Sequence, residues 1–170
     1  SSELAKVAYW ATFSSYKLGQ YENTLKYIDK AFNAVGKNEG AILQEYKSRS
    51  HKALNNEAAY LEDLITGVRK YPSHDFFFVN LADIYCEKHM YNEGLSLADS
   101  LISLDSEKPL YWYSKSKFML TENDYEKCIE YADSTIRRDS TYTDAYYNKG
   151  ISFLNLAWIR QEGACTDLLD

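Results

Sequence analysis

Apolar residues along this chain recur at helical spacing and are interrupted at regular distances. Leu25, Ile28 and Phe32 form one stripe, Leu61, Leu64 and Val68 a second, and Leu97, Leu101 and Leu104 a third. Spacings of three, four and seven residues put each set on one face of an α-helix. Phe76-Phe77-Phe78-Val79 has the look of a strand, yet Leu81, Ala82 and Tyr85 follow Phe78 at i+3, i+4 and i+7, so it reads as the buried start of a helix. Gly19, Pro72 and the Gly36 to Gly40 stretch fall between stripes as breaks, and Pro109 falls where a first helical turn tolerates it. The pattern predicts an all-α chain of about 10 helices, each of about 12–16 residues, paired as antiparallel hairpins because an isolated pair leaves an apolar face uncovered.

The stripes are copies of one another. At a period of 34 residues Phe78, Trp112 and Tyr146 fall in one column, Ala82, Ser116 and Gly150 in a second, Tyr85, Met119 and Phe153 in a third, and Tyr91 and Tyr125 in a fourth. Leu104-Asp105-Ser106 and Arg138-Asp139-Ser140 punctuate the units at the same spacing, with Pro72 one period before Ser106. Toward the front, Lys17-Leu18-Gly19-Gln20-Tyr21 matches the turn at His89-Met90-Tyr91 but arrives two residues early, which places two extra residues in a loop at Gly36 to Gly40. The units then run about 5–40, 41–74, 75–108, 109–142 and 143–170, the last incomplete.

These residues resemble the tetratricopeptide repeat (TPR). In the unit at 109–142 the matching positions are Trp112, Ser116, Met119, Asn123-Asp124-Tyr125, Cys128 and Ala132; in the unit at 75–108 they are Phe78, Leu81, Ala82, Tyr85, Tyr91, Gly94 and Ala98. The resemblance covers essentially the whole chain and implies a right-handed α-solenoid, a superhelix of four to five helix pairs. Two departures stand out. Tyr60 occupies a small-residue position, and Gly67 replaces the usual Ala, which suggests that the missing methyl makes room for the Tyr60 ring. In the final unit Leu156-Ala157-Trp158-Ile159-Arg160 replaces the expected polar turn. The small column of Ala82, Ser116 and Gly150 is expected to let the two helices of a pair approach closely.

The ends carry no obvious polar caps and Ser1 is not an initiator methionine, so the chain is expected to be a piece of a longer protein, in which a targeting segment is no longer visible. The compartment is left open between cytoplasm and periplasm.

Chemistry narrows the reading mainly by exclusion. Cys86, Cys128 and Cys165 are far apart, with no CxxC spacing and no neighbouring histidines, so neither a metal site nor a disulfide framework is indicated. Cys128 reads as a small buried hydrophobe and Cys165 as the thiol to watch for exposure. His51, His74 and His89 are dispersed, the last two in turns, and Glu62-Asp63 and Asp99 read as solvated helix faces. No metalloprotease, triad or phosphate-loop motif occurs, and no cofactor or catalytic activity is expected. A net charge of −6 opposes nucleic-acid binding. Arg137-Arg138 is explained by its place at a helix C-terminus, and no apolar run approaches the ~20 residues of a membrane span.

What is left is surface. In tetratricopeptide arrays the first helix of each unit lines a concave groove, and the resemblance carries groove positions onto Tyr9, Phe13, Tyr16 and Lys17; Glu45, Arg49 and Lys52; Phe76, Val79, Asp83 and Cys86; Tyr113, Ser114 and Lys117; and Tyr147, Asn148 and Ile151. The residues expected to bind are Tyr9, Phe13, Tyr16, Arg49, Lys52, Phe76, Asp83, Tyr113, Lys117 and Tyr147. The carboxylate clamp of the family's peptide binders is not reproduced, since only Asn80 matches it. Aromatic rings interleaved with Arg49, Lys52 and Lys117 suit a protein or peptide segment with apolar anchors and some acidic residues. The alternative is self-association, as a homo-oligomer, or intramolecular docking through ends that carry Trp158, Leu168 and Leu169.

Overall fold

The computed structural model of the chain describes residues 2–32 and 35–166, with the side chains of residues 2, 5 and 162–166 outside the description. Among the described residues there are nine helices and no strand. They are α1 (Ser2–Lys17), α2 (Tyr21–Ala31), α3 (Lys37–Ala53), α4 (Glu57–Lys70), α5 (Asp75–Glu87), α6 (Tyr91–Ile102), α7 (Pro109–Glu122), α8 (Tyr125–Arg138) and α9 (Thr143–Thr166). The chain divides into two compact units, Ser1–Leu81 and Ala82–Asp170, with the division inside α5.

One backbone device ends the first helix of successive pairs. Gly19, Asn55, His89 and Asn123 all have φ between +55° and +72°. The residue after each donates its N–H to a carbonyl five positions back: Gln20 to Ser15, Asn56 to His51, Met90 to Tyr85 and Asp124 to Met119, at 2.8–2.9 Å. This closes the last turn and satisfies carbonyls that the helix end would leave unpaired. The steps between these residues are 36, 34 and 34, so the turns keep the period seen in the sequence and show the two extra residues. Asn56 and Asp124 then cap the next helix, accepting from the N–H of Ala59 and Lys127 at 3.2 Å.

The next position in that series is Ala157, where no turn forms and α9 runs on for 24 residues. Alanine is the best helix former and pays roughly 1–2 kcal/mol to enter the left-handed region. Trp158, at the following capping position, has no oxygen to offer the first N–H groups of a new helix. The second helix of the fifth pair is therefore not formed among the described residues, which hold nine helices where about ten are expected over the whole chain.

In the first unit α2 packs on α1 and α3, and α3 on α4. Ala8, Ile28, Ala31 and Leu43 form its core, with Tyr9, Phe32, Val35 and Tyr46 packed against it. Lys37 to Gly40 is helical, so the expected loop is in fact the first turn of α3 with Gly36 as its N-cap. A Cβ on Gly40 would stand 2.7 Å from the Tyr71 hydroxyl. The pairing of Gly67 with Tyr60 also needs correction: a Cβ on Gly67 would strike the ring of Phe77, which is fully buried. Tyr60 instead donates its hydroxyl to Asn80 at 2.9 Å.

In the second unit α7 packs on α6, α8 and α9, and α8 also packs on α9. Gly94 repeats the same solution, since a Cβ there would come within 2.5 Å of the buried Phe118 ring. Ala82 and Ser116 are buried as the small column requires, but Gly150 faces open space, with nothing within 4 Å of where a Cβ would stand. Arg138 lies 4.2 Å over the Trp112 ring and donates to the carbonyls of Ser106 and Ser134 at 2.6 and 2.7 Å, so it ties down the end of α8 beyond any dipole effect.

Candidate functional site

Tyr9, Phe13 and Tyr16 sit at i, i+4 and i+7 on α1 and share one face. Their rings form an edge-on chain: Tyr9 meets Phe13 at 4.9 Å between centroids, Phe13 meets Tyr46 at 4.7 Å, and Tyr46 meets Tyr16 at 4.7 Å. All four are half-buried, so each is held by its neighbour and still presents an edge to solvent. Burial first, then the charge of Glu39 and the Tyr46 hydroxyl, push the Tyr9 phenol above its ordinary range. Tyr46, central to this cluster, was not among the expected site residues. Its column carries Trp10, Asn80, Ser114 and Asn148, so no residue type recurs to mark it.

Arg49 and Phe76 are brought together, with the guanidinium carbon 4.6 Å from the ring centroid. The charge of Arg49 is largely answered within the chain. Its Nη2 and Nε stand 2.7 and 2.8 Å from Glu45 Oε1, while His74 Nε2 contacts the other Glu45 oxygen at 2.6 Å. Partial burial works against the Arg49 charge, and the hydrogen bond and charge of Glu45 outweigh it, so the pKa is raised. Lys52 points elsewhere, over the Tyr60 ring at 5.1 Å. His74 is thus a partner of Glu45 rather than an ordinary solvent position.

In the second unit Lys117 Nζ pairs with Asp83 Oδ1. Partial burial disfavours the ammonium, and Asp83 more than compensates. Burial raises the Tyr113 phenol, with Asp144 adding to it, and its ring stacks at 5.0 Å on Tyr142. Tyr147 stands exposed on α9, whereas Cys86 is buried; Val79, in the first unit, is partly exposed. Ser114 and Asn148, expected in the groove, are also buried. Ser114 donates to the Leu110 carbonyl at 2.9 Å and Asn148 to the Ser116 hydroxyl at 2.9 Å, because interhelix packing here needs small polar side chains with a local partner.

Burial raises the thiols of Cys86 and Cys128, with Lys117 partly opposing it at Cys86, so both are held as thiols. Cys165 lies outside the described side chains, and no group of three or more metal-binding residues occurs among the described ones.

Asp63 is buried, not part of a solvated face as expected. Its carboxylate contacts His51 Nδ1 at 2.6 Å, accepts from Gln44 Nε2 at 3.2 Å and lies 3.7 Å from Lys47, beside a cavity of about 500 Å³. The group ties α3 to α4. Asp99 does stay largely exposed, held by Lys115 at 2.7 Å.

No protein-family model matches the chain, and no curated protein matches it either. Solved structures do. MamA from Desulfovibrio magneticus, residues 41 to the end, superposes with a TM-score of 0.66 at 12% identity over 91% of this chain and 86% of that one. The C-terminal part of a TPR repeat-containing protein from Cytophaga hutchinsonii gives 0.67 at 11% identity, covering 87% and 58%. YrrB, described as a TPR protein with an unusual peptide-binding site, gives 0.58 at 12% identity, covering 86% and 74%.

The chain has the tetratricopeptide-repeat fold. No helix among the described residues is long and apolar enough to cross a membrane.

Proposed function

We propose that this chain is a non-catalytic scaffold that holds a protein or peptide segment against the first-helix faces of its repeats. The observation that carries the reading is the edge-on ring chain of Tyr9, Phe13, Tyr46 and Tyr16, half-buried in concert and bordered by Arg49 and Phe76. Aromatic rings fixed by one another lose little further entropy when a partner arrives, which is why such residues dominate binding energy at interfaces. YrrB lends support as a protein of the same fold with a peptide-binding site.

The ion pairs refine the partner's chemistry. Arg49 and Lys117 already face Glu45 and Asp83, so an acidic partner would have to compete with these carboxylates. Apolar and aromatic anchors on the partner therefore contribute more than its charge, with Lys52 turned away over the Tyr60 ring. In the second unit Tyr113, Lys117, Asp83 and Tyr147 are assigned the same role on the same grounds. The acidic net charge argues against nucleic acid as the partner.

The reading is tested by selecting peptides from a displayed library on the intact chain and measuring their affinity for a Tyr9→Ala, Phe13→Ala, Tyr113→Ala variant. At least a tenfold loss with an unchanged helical spectrum is expected. Equal affinity would remove these rings from the binding surface.

A further inference from the structure

We infer that the cavity lined by α3 and α4 binds a small zwitterion of the amino-acid class, its ammonium group toward His51 and Glu62 and its carboxylate toward Lys70. The cavity lies in the first unit and shares no lining residue with the ring chain of Tyr9, Phe13, Tyr46 and Tyr16.

The repeat marks the place. Gln44 stands one period before Phe78, His51 one before Tyr85, and Asp63 one before Leu97; a period further on the same columns hold Trp112, Met119 and Tyr131. Three columns that are apolar or aromatic in the later units are therefore polar in this one. The three replacements also meet. Gln44 Nε2 donates to the Asp63 carbonyl at 3.1 Å and to Oδ1 at 3.2 Å, and His51 Nδ1 lies 2.6 Å from Oδ2. Gln44 and Asp63 are both buried. Packing alone does not call for such a group, since apolar residues of like volume commonly serve as well as a buried ion pair. Departures of this kind from an otherwise consistent pattern gather at functional sites.

The group leaves one atom ready for a ligand. With Nδ1–H donated to Asp63, the neutral imidazole presents Nε2 as an acceptor. Nε2 makes no hydrogen bond among the described residues, and none of their buried polar side-chain atoms lacks a partner, so Nε2 is open to solvent where the ring lines the cavity. Asp63 is thus a positioning residue. The volume of about 500 Å³ falls within the roughly 300–1,000 Å³ of small-molecule sites.

Charge is sorted along the cavity. Glu62, Thr66 and Lys70 stand at i, i+4 and i+8 on α4 and form one wall. Because α3 and α4 join through the turn at Asn55, His51 lies toward the Glu62 end. Acceptors therefore collect at one end and the Lys70 ammonium and Thr66 hydroxyl at the other. The rise from Glu62 to Lys70 is about 12 Å, most of which their own side chains can span, so the ligand's two charges belong a few bonds apart. Lys47 is spoken for by Asp63 at 3.7 Å, whereas Glu62 and Lys70 make no ion pair among the described residues. A simple anion would leave Glu62 and Nε2 unanswered, and a simple cation would leave Lys70. For a metal ion the described residues offer no group of three or more ligands.

The probes are the common L-amino acids, each added alone at millimolar concentration to the intact chain, with acetate and methylammonium as single-charge controls. Long-range proton–nitrogen NMR follows the His51 ring, assigned by elimination from His74→Gln and His89→Gln spectra. At least one amino acid should move the Nε2 resonance saturably. Glu62→Gln and Lys70→Met should each weaken that binding at least tenfold, and Tyr9→Ala with Phe13→Ala should leave it unchanged. Both altered residues are exposed, so folding is expected to survive, as circular dichroism would verify. Absence of a saturable shift with every amino acid would overturn the inference, as would undiminished binding to either single variant. Binding of acetate or methylammonium as tight as that of the best amino acid would overturn it in favour of a single ion.

Discussion

Replacing Gly67 by alanine adds one methyl group to α4 at a point where the Phe77 ring already stands. An ideally placed Cβ would lie closer than 3.0 Å to three carbons of that ring. Phe77 is fully buried and hemmed in by Tyr71, His74 and Phe76, with ring centroids at 6.2, 5.2 and 5.4 Å, so it has little room to retreat. Overpacking costs about 1–3 kcal/mol, and the enclosed ring puts this case near the top of that range. Alanine returns about 1 kcal/mol of helix propensity. The net is a loss of about 2 kcal/mol, or a fall in Tm of about 4–8 °C for a chain of this length. Urea unfolding followed by circular dichroism measures it, and double-mutant cycles assign the cause. Gly67→Ala should couple to Phe77→Leu by about 1 kcal/mol and add independently to Tyr60→Phe. An increase in stability, or coupling to Tyr60 instead of Phe77, would refute the reasoning.

His89 holds φ at +55° without being glycine, so His89→Gly should gain about 1 kcal/mol, less what its contact with Tyr91 contributes, read as a higher Tm. Asp63→Ala strands His51, while Gln44 keeps the residue-63 carbonyl at 3.1 Å, and should cost about 1–3 kcal/mol in urea unfolding. The Asp124 carboxylate is lowered below its ordinary pKa, chiefly by its hydrogen bond with Lys127. Its stabilising effect is thus complete above the unfolded value and lost as pH falls through the lower folded value. Asp124→Asn should remove that part of the acid sensitivity, as seen by comparing unfolding midpoints at pH 7 and in the acid range. In a Cys165→Ser background Cys86 and Cys128 should resist a thiol reagent until denaturant is added, because burial keeps both protonated; prompt labelling of either in native buffer would contradict their placement.

The fold was legible because the features that build it repeat. Gly19, Asn55, His89 and Asn123 each end a helix in the same backbone conformation, and their residue types and spacing are visible in the chain. Phe78, Ala82 and Met119 are buried as their columns require. Sequence reasoning failed where a single contact decides the outcome. Gly67 was matched to Tyr60 by proximity in α4, whereas the ring that fills its space comes from α5, ten residues on. Asp63 looked solvated because its partners, Gln44 and His51, lie on another helix and give no local sign. Period alone also places a turn at Ala157, where an alanine in place of a turn residue lets α9 run on. For the candidate site, the resemblance offers Tyr9, Phe13 and Tyr16, whose rings the structure brings together with Tyr46, while the carboxylate partners of Arg49 and Lys117 appear only in three dimensions.

The central claim, that the ring chain on α1 and α3 receives a polypeptide partner, is tested most directly by backbone amide NMR with a library-selected peptide. Binding should shift the amides of residues 9–16 and 45–49 first and most, and the shifts should vanish in the Tyr9→Ala, Phe13→Ala variant. Shifts confined to residues 146–158, with residues 9–16 unmoved, would contradict it.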